Sequence, residues 1–257
     1  MPEITFLGTG TSNGIPVIGC DCATCLSSDP RDKRTRTSAV IRTRGRSILI
    51  DTATELRSQA MANNVRQVDA VLITHAHADH TGGFDDLRRF NELHQAHLPV
   101  FANAEAAGTL RERFAYAFVD AFPFYGGKPD LILQEVTAPF AIGDIDVVPI
   151  PVFHGRLPTL GYRIADLAYV TDAKEIPASS RELLTGLHTL VLNGLRERSH
   201  PTHLSIPEAV DIVQELRPKQ AFLVHLSHEV SHVAAEQLLP AGVSIAWDGL
   251  TVSTVKP

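Results

Sequence analysis

The heptapeptide Thr74-His75-Ala76-His77-Ala78-Asp79-His80 carries the most information about the architecture of this chain. Four side chains that bind metal ions fall within six residues, directly after the apolar run at 71–73. Imidazole and carboxylate groups hold zinc, manganese or iron at reactive centres. Burying three imidazoles and a carboxylate together is costly unless a cation compensates them. The motif therefore predicts a metal site at the end of a buried strand.

The composition is that of a globular protein. The chain has 257 residues, of which 44% are hydrophobic, with a net charge of −6. No apolar segment is long enough to span a bilayer, and the start at Met1–Phe6 lacks a basic stretch followed by an apolar one. We therefore expect a cytoplasmic protein that binds no membrane. The negative charge argues against extended nucleic acid as a partner, but it allows a small phosphorylated substrate.

Apolar runs alternate with helical patterns along the chain. Val68–Thr74 reads as a buried strand, Gly82–His94 as a helix, and the end of the chain as a hairpin around Asp248-Gly249. Strands with helices between them predict an α/β protein, an αββα sandwich of two mixed β-sheets with helices on the outer faces. We expect one domain over residues 1–257. The aromatic segment 114–129 is interpreted as a lid or as the surface of a homodimer.

Further metal-binding side chains follow apolar runs elsewhere in the chain, at His154, Asp172 and His225. Loops at strand ends are where a rigid scaffold presents chemistry. A lone histidine after a strand is usually a satisfied polar group. The occurrence of such metal-binding side chains at several strand ends, together with the histidine cluster, indicates one shared site.

The three cysteines form a second cluster, at Cys20, Cys22 and Cys25. An odd and tightly spaced set cannot be a disulfide framework, and it indicates a metal site. Three thiolates need a fourth ligand to complete a tetrahedral structural zinc site, and the best candidate is His228, three residues after His225. The alternative is three buried cysteines that act as small hydrophobic residues.

The order of these groups resembles the metallo-β-lactamase superfamily over essentially the full length of the chain. The resemblance implies two divalent ions, zinc or manganese, and a hydroxide between them that carries out hydrolysis. It implies these ligands: His75, His77 and His154 at one ion, Asp79, His80 and His225 at the other, and Asp172 at both. It also implies that Asp51, at the end of a strand, orients the histidine loop, and that Asp79 and Asp172 act in catalysis.

The cysteine pattern together with His225-Leu226-Ser227-His228 resembles, more narrowly, the subfamily that contains the phosphodiesterase of the carbon–phosphorus lyase pathway. In those phosphodiesterases a histidine just before a helix lies near the scissile phosphate. His203 stands a few residues before the helix predicted from Pro207, so it is the expected proton donor, and His200 is the runner-up. The alternative is that both are loop histidines near a helix cap.

We therefore expect a dinuclear metal-dependent hydrolase, and specifically a phosphodiesterase of a small cyclic phosphate or nucleotide-like ester. The alternatives are hydrolysis of a carboxylic ester, thioester or lactam, or a non-catalytic metal-binding accessory protein in biosynthesis. The basic run at 31–36 is interpreted as a solvated loop, with phosphate binding as the weaker alternative. His232 is expected to support the metal site, to line the pocket or to lie in solvent.

Overall fold

The computed structural model of the protein describes residues 1–119 and 127–254. The described strands are β1 (Glu3–Gly8), β2 (Ser38–Thr43), β3 (Arg46–Ile50), β4 (Ala70–Leu72), β5 (Leu98–Ala102), β6 (Leu131–Glu135), β7 (Phe140–Ile142), β8 (Ile145–His154), β9 (Leu157–Ile164), β10 (Leu167–Val170), β11 (Thr189–Asn193), β12 (Gln220–Val224), β13 (Val243–Ile245) and β14 (Thr251–Ser253). The described helices are α1 (Ala23–Leu26), α2 (Leu56–Ala62), α3 (Ala78–Thr81), α4 (Arg88–His94), α5 (Ala104–Arg113), α6 (Ala178–Leu183), α7 (Ile206–Leu216) and α8 (His232–Glu236). No helix in these two ranges is long and apolar enough to cross a membrane.

The described strands form two mixed sheets of seven strands each, in the orders β14-β1-β2-β3-β4-β5-β6 and β13-β12-β11-β10-β9-β8-β7. In the first sheet, β3 to β6 run parallel and the others pair antiparallel. In the second sheet, β10 to β13 run parallel and β7 to β10 pair antiparallel. Because parallel strands end at the same edge of a sheet, each sheet presents the loops after its parallel strands along one edge.

The buried apolar residues fall into three layers. One cluster fills the space between the sheets and includes Ile41 and Tyr169. A second cluster covers the outer face of the first sheet, where Leu56 of α2 and Leu110 of α5 pack on it. A third covers the outer face of the second sheet under α6, α7 and α8, and includes Ala209. The predicted αββα sandwich is therefore confirmed.

Two hydrogen bonds join the sheets directly beneath the histidine cluster. The hydroxyl of Tyr162 on β9 donates to the carbonyl oxygen of Ile73 at 2.8 Å. The backbone N–H of Leu160, on the same strand, donates to the carbonyl oxygen of Thr74 at 3.0 Å. The second sheet thus fixes the backbone of the first sheet at the point where the metal-binding motif begins.

The predicted closing hairpin is wrong. Val243–Ile245 pairs with β12 in the second sheet, whereas Thr251–Ser253 pairs with β1 in the first. The Asp248-Gly249 turn carries the chain from one sheet to the other. Asp248 anchors this turn to the first sheet, since it accepts hydrogen bonds from Thr9, after β1, and from Thr35, before β2. The predicted helix over 82–94 is also shorter, since a 3-10 turn occupies Phe84–Leu87 before α4.

The aromatic segment 114–129 is described only in part, because residues 120–126 lie outside the described ranges. Within its described part, Phe114 and Phe118 pack against Phe84 with ring centroids 4.8 Å and 6.3 Å apart. These two rings therefore cover the outer apolar layer of the first sheet. The lid or dimer interpretation of the segment stays a prediction.

The solvated-loop interpretation of the basic run is wrong for Arg34, which is only 1% exposed. Its guanidinium donates to the carbonyl oxygen of Val230 at 2.8 Å and to Asp32 at 3.3 Å. A buried guanidinium needs such partners, so Arg34 ties its loop to the segment after His228. Arg36, in the same run, pairs with Glu55.

Candidate active site

The sequence-predicted metal ligands come together at the adjacent ends of the two sheets. Two groups have their ligand atoms within 4.8 Å of one another: His75, His77 and His154 in one, and Asp79, His80, Asp172 and His225 in the other. The four candidate ligands of the motif follow β4, whereas His154, Asp172 and His225 end or follow β8, β10 and β12. Neither sheet alone supplies either group completely.

Asp172 lies between the two groups. Its Oδ2 is 3.8 Å from Nε2 of His75, while its Oδ1 is 3.4 Å from Nε2 of His80 and 3.2 Å from Nε2 of His225. One oxygen therefore faces each group. This is the arrangement that a carboxylate needs to bind two neighbouring ions.

Asp51 sets the orientation of two imidazoles. It is fully buried, and its Oδ2 lies 2.7 Å from Nδ1 of His80. The hydroxyl of Thr74 donates to the same carboxylate at 2.8 Å, so it can only accept from the Nδ1–H of His75, 3.0 Å away. His75 and His80 then carry their protons on Nδ1, and each Nε2 keeps a lone pair for a metal ion. Thr74 was not predicted from the sequence.

His154 is held in the same way, since its Nδ1 lies 2.7 Å from the carbonyl oxygen of Thr202. Nε2 of His80 and both ring nitrogens of His225 are buried without a hydrogen-bond partner among the described residues. Buried polar atoms are normally satisfied by protein, water or an ion. The bare nitrogens and the carboxylates between them fit divalent ions such as zinc or manganese.

The electrostatics keep two carboxylates and one imidazole in their ligand forms, whereas Asp172, Asp51 and Asp79 outweigh burial and raise the pKa of His80, which favours its protonated form. Burial by itself would raise the pKa of the Asp172 carboxyl, but the imidazoles of His225 and His80 outweigh it and hold the pKa well below its usual range. The pKa of Asp79 is likewise lowered against burial, by His80 and His225. Burial lowers the pKa of His75. Ionised carboxylates and a neutral imidazole are the forms that bind metal ions.

Three of the site residues adopt the left-handed backbone conformation, which residues other than glycine seldom adopt. The φ angles are 58° at Asp51, 54° at Asp172 and 58° at His225. Asp51 and His225 directly follow the last residue of a strand, Asp172 comes one residue later, and the positive φ turns the chain sharply. Such strain is retained where the surrounding structure fixes it, and it clusters at functional sites. The sequence carries no signal for it, because these side chains also suit ordinary strand ends.

His203 lies beside Asp172. Its Nδ1 is 3.9 Å from Oδ2 of Asp172, and its ring is stacked 4.8 Å from that of His225. It also meets His154, with ring centroids 4.4 Å apart. Burial lowers the pKa of His203 to about 3, although Asp172 opposes this. His200 is further out, 5.1 Å from the His203 ring.

A second cluster joins the cysteines to His228. Nδ1 of His228 lies 3.2 Å from Sγ of Cys20, 3.6 Å from Cys22 and 3.7 Å from Cys25. A tetrahedron with metal–ligand bonds of 2.0–2.3 Å has edges of about 3.5 Å, so these separations fit zinc. Hydrogen bonds from the Cys25 backbone and from neighbouring side chains lower the pKa of the Cys22 thiol to about 6, although burial opposes this. The lowered pKa favours the thiolate, which is the form that binds zinc.

Two other residues refine the sequence interpretation. Asn193, at the end of β11, accepts the backbone N–H of Ala173 at 2.8 Å and donates to its carbonyl at 3.1 Å, which fixes the chain directly after Asp172. Its place at the end of an apolar run could have identified it. His232 is buried against Trp247 with ring centroids 5.5 Å apart, so it is a core residue away from both metal groups.

Comparison with known proteins places these features in a family. The family model described as a beta-lactamase superfamily domain matches residues 46–226. The crystal structure of a diphosphatase from the PhnP family has 38% sequence identity and a TM-score of 0.91, and the match covers 98% of this chain and 96% of that one.

Two curated relatives are similar in sequence. An octanoyltransferase of Porphyromonas gingivalis is 42% identical over 95% of this chain, but the chain spans only 50% of that relative's length. A ribonuclease Z of a Mycobacterium species is 27% identical, over 95% of this chain and 82% of that relative. From the family match, the diphosphatase likeness and the two mixed sheets, we conclude that the chain belongs to the metallo-β-lactamase superfamily and resembles its PhnP family.

Proposed function

We propose that the protein is a dinuclear metal-dependent phosphodiesterase that acts on a small cyclic phosphate or nucleotide-like ester. The observation that carries the proposal is the position of Asp172, with one oxygen toward each group of candidate ligands. The likeness to a PhnP-family diphosphatase and to a ribonuclease Z supports phosphorus as the reacting atom. The net charge of −6 favours a small substrate over extended nucleic acid.

In this proposal the ligands of the first ion are His75, His77 and His154, those of the second are Asp79, His80 and His225, and Asp172 serves both. Two divalent ions, zinc or manganese, would supply Lewis acidity and a nucleophile at neutral pH. The chain itself contributes orientation, because Asp51, Thr74 and Thr202 hold three of the imidazoles through Nδ1, which leaves Nε2 to face the site.

We assign the proton donor to His203. In the free protein its ring is neutral at pH 7, because burial lowers its pKa to about 3. A bound phosphodiester carries a negative charge, and an opposite charge within a few ångströms favours the imidazolium form. The arriving substrate would therefore raise the pKa of His203, and the ring could then donate a proton to the departing oxygen.

We assign a structural zinc ion to Cys20, Cys22, Cys25 and His228. This zinc would fix the segment that also carries His225, three residues earlier. The three cysteines form no disulfide, which agrees with a reducing compartment and with a cytoplasmic location.

A second candidate function is hydrolysis of an acyl thioester. It is favoured by the 42% identity to half of an octanoyltransferase, although that name describes the whole relative. Protein purified without chelator and supplemented with zinc or manganese would be assayed on bis(p-nitrophenyl) phosphate, an octanoyl thioester and a lactam. We expect hydrolysis of the diester in preference to the other two. Preference for the thioester would favour the second candidate, and metal content without turnover would favour a non-catalytic accessory protein.

A further inference from the structure

Beside the candidate metal centre, the described residues line a cavity of about 160 Å³. His75, Ala76 and His77 form one wall, and residues of α5 form another. Leu157 and Pro158, at the start of β9, close one side. The cavity therefore adjoins the first group of candidate ligands.

The wall from α5 presents a polar stripe. Glu105, Thr109 and Arg113 all line the cavity, and their spacing of four residues puts them on one face of the helix. The hydroxyl of Thr109 donates to the backbone carbonyl of Glu105 at 3.1 Å, so its lone pairs are left to accept a bond. At the other end, the Arg113 guanidinium supplies donors. The stripe thus offers acceptors at one end and donors at the other.

Both walls of the cavity are fixed in place. The side chain of Asn103 caps α5 by accepting from the N–H of Ala106 at 2.8 Å, and it donates to the carbonyl of Pro158 at 3.0 Å. Arg113 donates to the carbonyl of Ala76 at 2.8 Å and to the hydroxyl of Thr81 at 3.0 Å. Walls held by four such bonds keep the shape of the cavity, as a specificity site requires.

The size and position of the cavity indicate its occupant. A cavity of about 150 Å³ holds one benzene molecule, so this half-open cavity accommodates a single ring. His203 does not line it, and lies instead against His225 and His154. If His203 protonates the departing oxygen, the cavity lies beside the other ester group.

We propose that the substrate is a nucleotide-like diester with two separate ester groups, that this cavity binds the group that stays on phosphorus, and that it selects a single-ring group which can donate hydrogen bonds to Glu105 and Thr109. Glu105 and Thr109 are then specificity-determining residues. This assignment rests on the proposed phosphodiesterase function, and it goes beyond that function because it distinguishes the two ester groups.

The test uses p-nitrophenolate as the leaving group throughout and varies the ester group that stays on phosphorus. Methyl, phenyl and 1-naphthyl esters of p-nitrophenyl phosphate would be compared on metal-loaded protein. We expect kcat/KM for the phenyl ester to exceed that for the methyl ester by about 10-fold or more, and the second ring of the naphthyl ester to add no further gain. Thr109→Phe should fill the cavity and remove the preference for phenyl through KM. Gly108→Ala is the control, because a methyl group there meets open space.

Binding of phenylphosphonate and methylphosphonate, measured by calorimetry, separates the cavity from the chemistry. We expect the phenyl compound to bind more tightly, and Thr109→Phe to abolish the difference. Equal binding of the two phosphonates would overturn the cavity assignment alone. So would an equal loss of kcat/KM on all three esters in Thr109→Phe. Failure to hydrolyse any of the diesters overturns the proposed function.

Discussion

Asp51 and His80 form a fully buried pair in which a carboxylate oxygen lies 2.7 Å from the imidazole Nδ1. The same carboxylate also accepts the N–H and hydroxyl of Thr74, at 2.8 Å each. One side chain at the end of β3 therefore controls the tautomer of His80 directly and that of His75 through Thr74. The loop of candidate ligands depends on a residue that is not itself one of them.

Asp51→Asn should weaken metal binding about 10- to 100-fold, the usual cost of losing a hydrogen-bond partner behind a metal-ligating histidine. The asparagine amide would offer one acceptor oxygen, whereas the Asp51 carboxylate now accepts from three donors: the N–H and hydroxyl of Thr74 and Nδ1 of His80. Competition with a chelator measures the affinity. Asp69→Asn is the matched control, since Asp69 accepts a backbone N–H from Ser47 at the opposite end of β3. Equal effects of the two variants would contradict the role given to Asp51.

Cys22→Ser should lower the metal content from about three ions per chain to two and reduce thermal stability, because structural zinc contributes folding free energy directly. Turnover per folded molecule should largely persist. Elemental analysis and calorimetric melting measure the two effects, with Thr24→Ser in the same loop as the control. Unchanged melting combined with loss of turnover would show that the cysteines serve the reaction itself.

His203→Ala should cost about 10²- to 10⁴-fold on an alkyl or cyclic ribose phosphate, the range of general acid catalysis. The loss on a p-nitrophenyl diester should be much smaller, because p-nitrophenolate departs with little need of a proton. His200→Ala on the same substrates is the control. Equal losses on both substrates for His203→Ala would point to phosphate binding, and a selective loss for His200→Ala would move the role there.

Asp248 should make stability depend on pH. Burial raises its pKa to about 6 against the hydrogen bonds from Thr35 and Thr9, whereas the ordinary value is 3.8. The folded state therefore holds this proton more tightly than the unfolded state. Its contribution to stability is full below about pH 4 and declines as the pH rises toward about 6, by up to about 3 kcal/mol.

Urea unfolding of the wild type and of Asp248→Asn between pH 4 and pH 7 measures this effect. The difference in unfolding free energy between the two proteins should shift in favour of the variant as the pH rises. Taking the difference at each pH removes any pH dependence that both proteins share through their metal ligands. Asp144→Asn, at an exposed carboxylate, should show a constant difference. A constant difference for Asp248→Asn would mean that its carboxyl has an ordinary pKa in the folded protein.

The residues that the sequence predicts well are those whose chemistry is local. The motif from His75 to His80 and the three cysteines stand out because several ligand side chains lie within a few residues. Their strand context also follows from apolar runs, so the layered fold could be predicted. His228 could be paired with the cysteines because thiolates at that spacing need one more ligand.

The residues that sequence analysis missed or misread depend on contacts between distant segments. Arg34 is indistinguishable from its solvated neighbours until Asp32 and Val230 are seen around it. The turn at Asp248 looks like that of a hairpin, because alternation and turn residues do not reveal which sheet each strand joins. The left-handed backbone of His225 likewise depends on the packing that holds it.

The hydroxyl of Tyr162 and the N–H of Leu160 bridge the sheets at Ile73 and Thr74. The motif belongs to one sheet, and His154, Asp172 and His225 belong to the other. The distance between the sheets therefore sets the distance between the candidate ligands. The apolar side chains packed between the sheets fix that distance. A substitution at a fully buried position such as Tyr162 would change catalysis while every candidate ligand is kept.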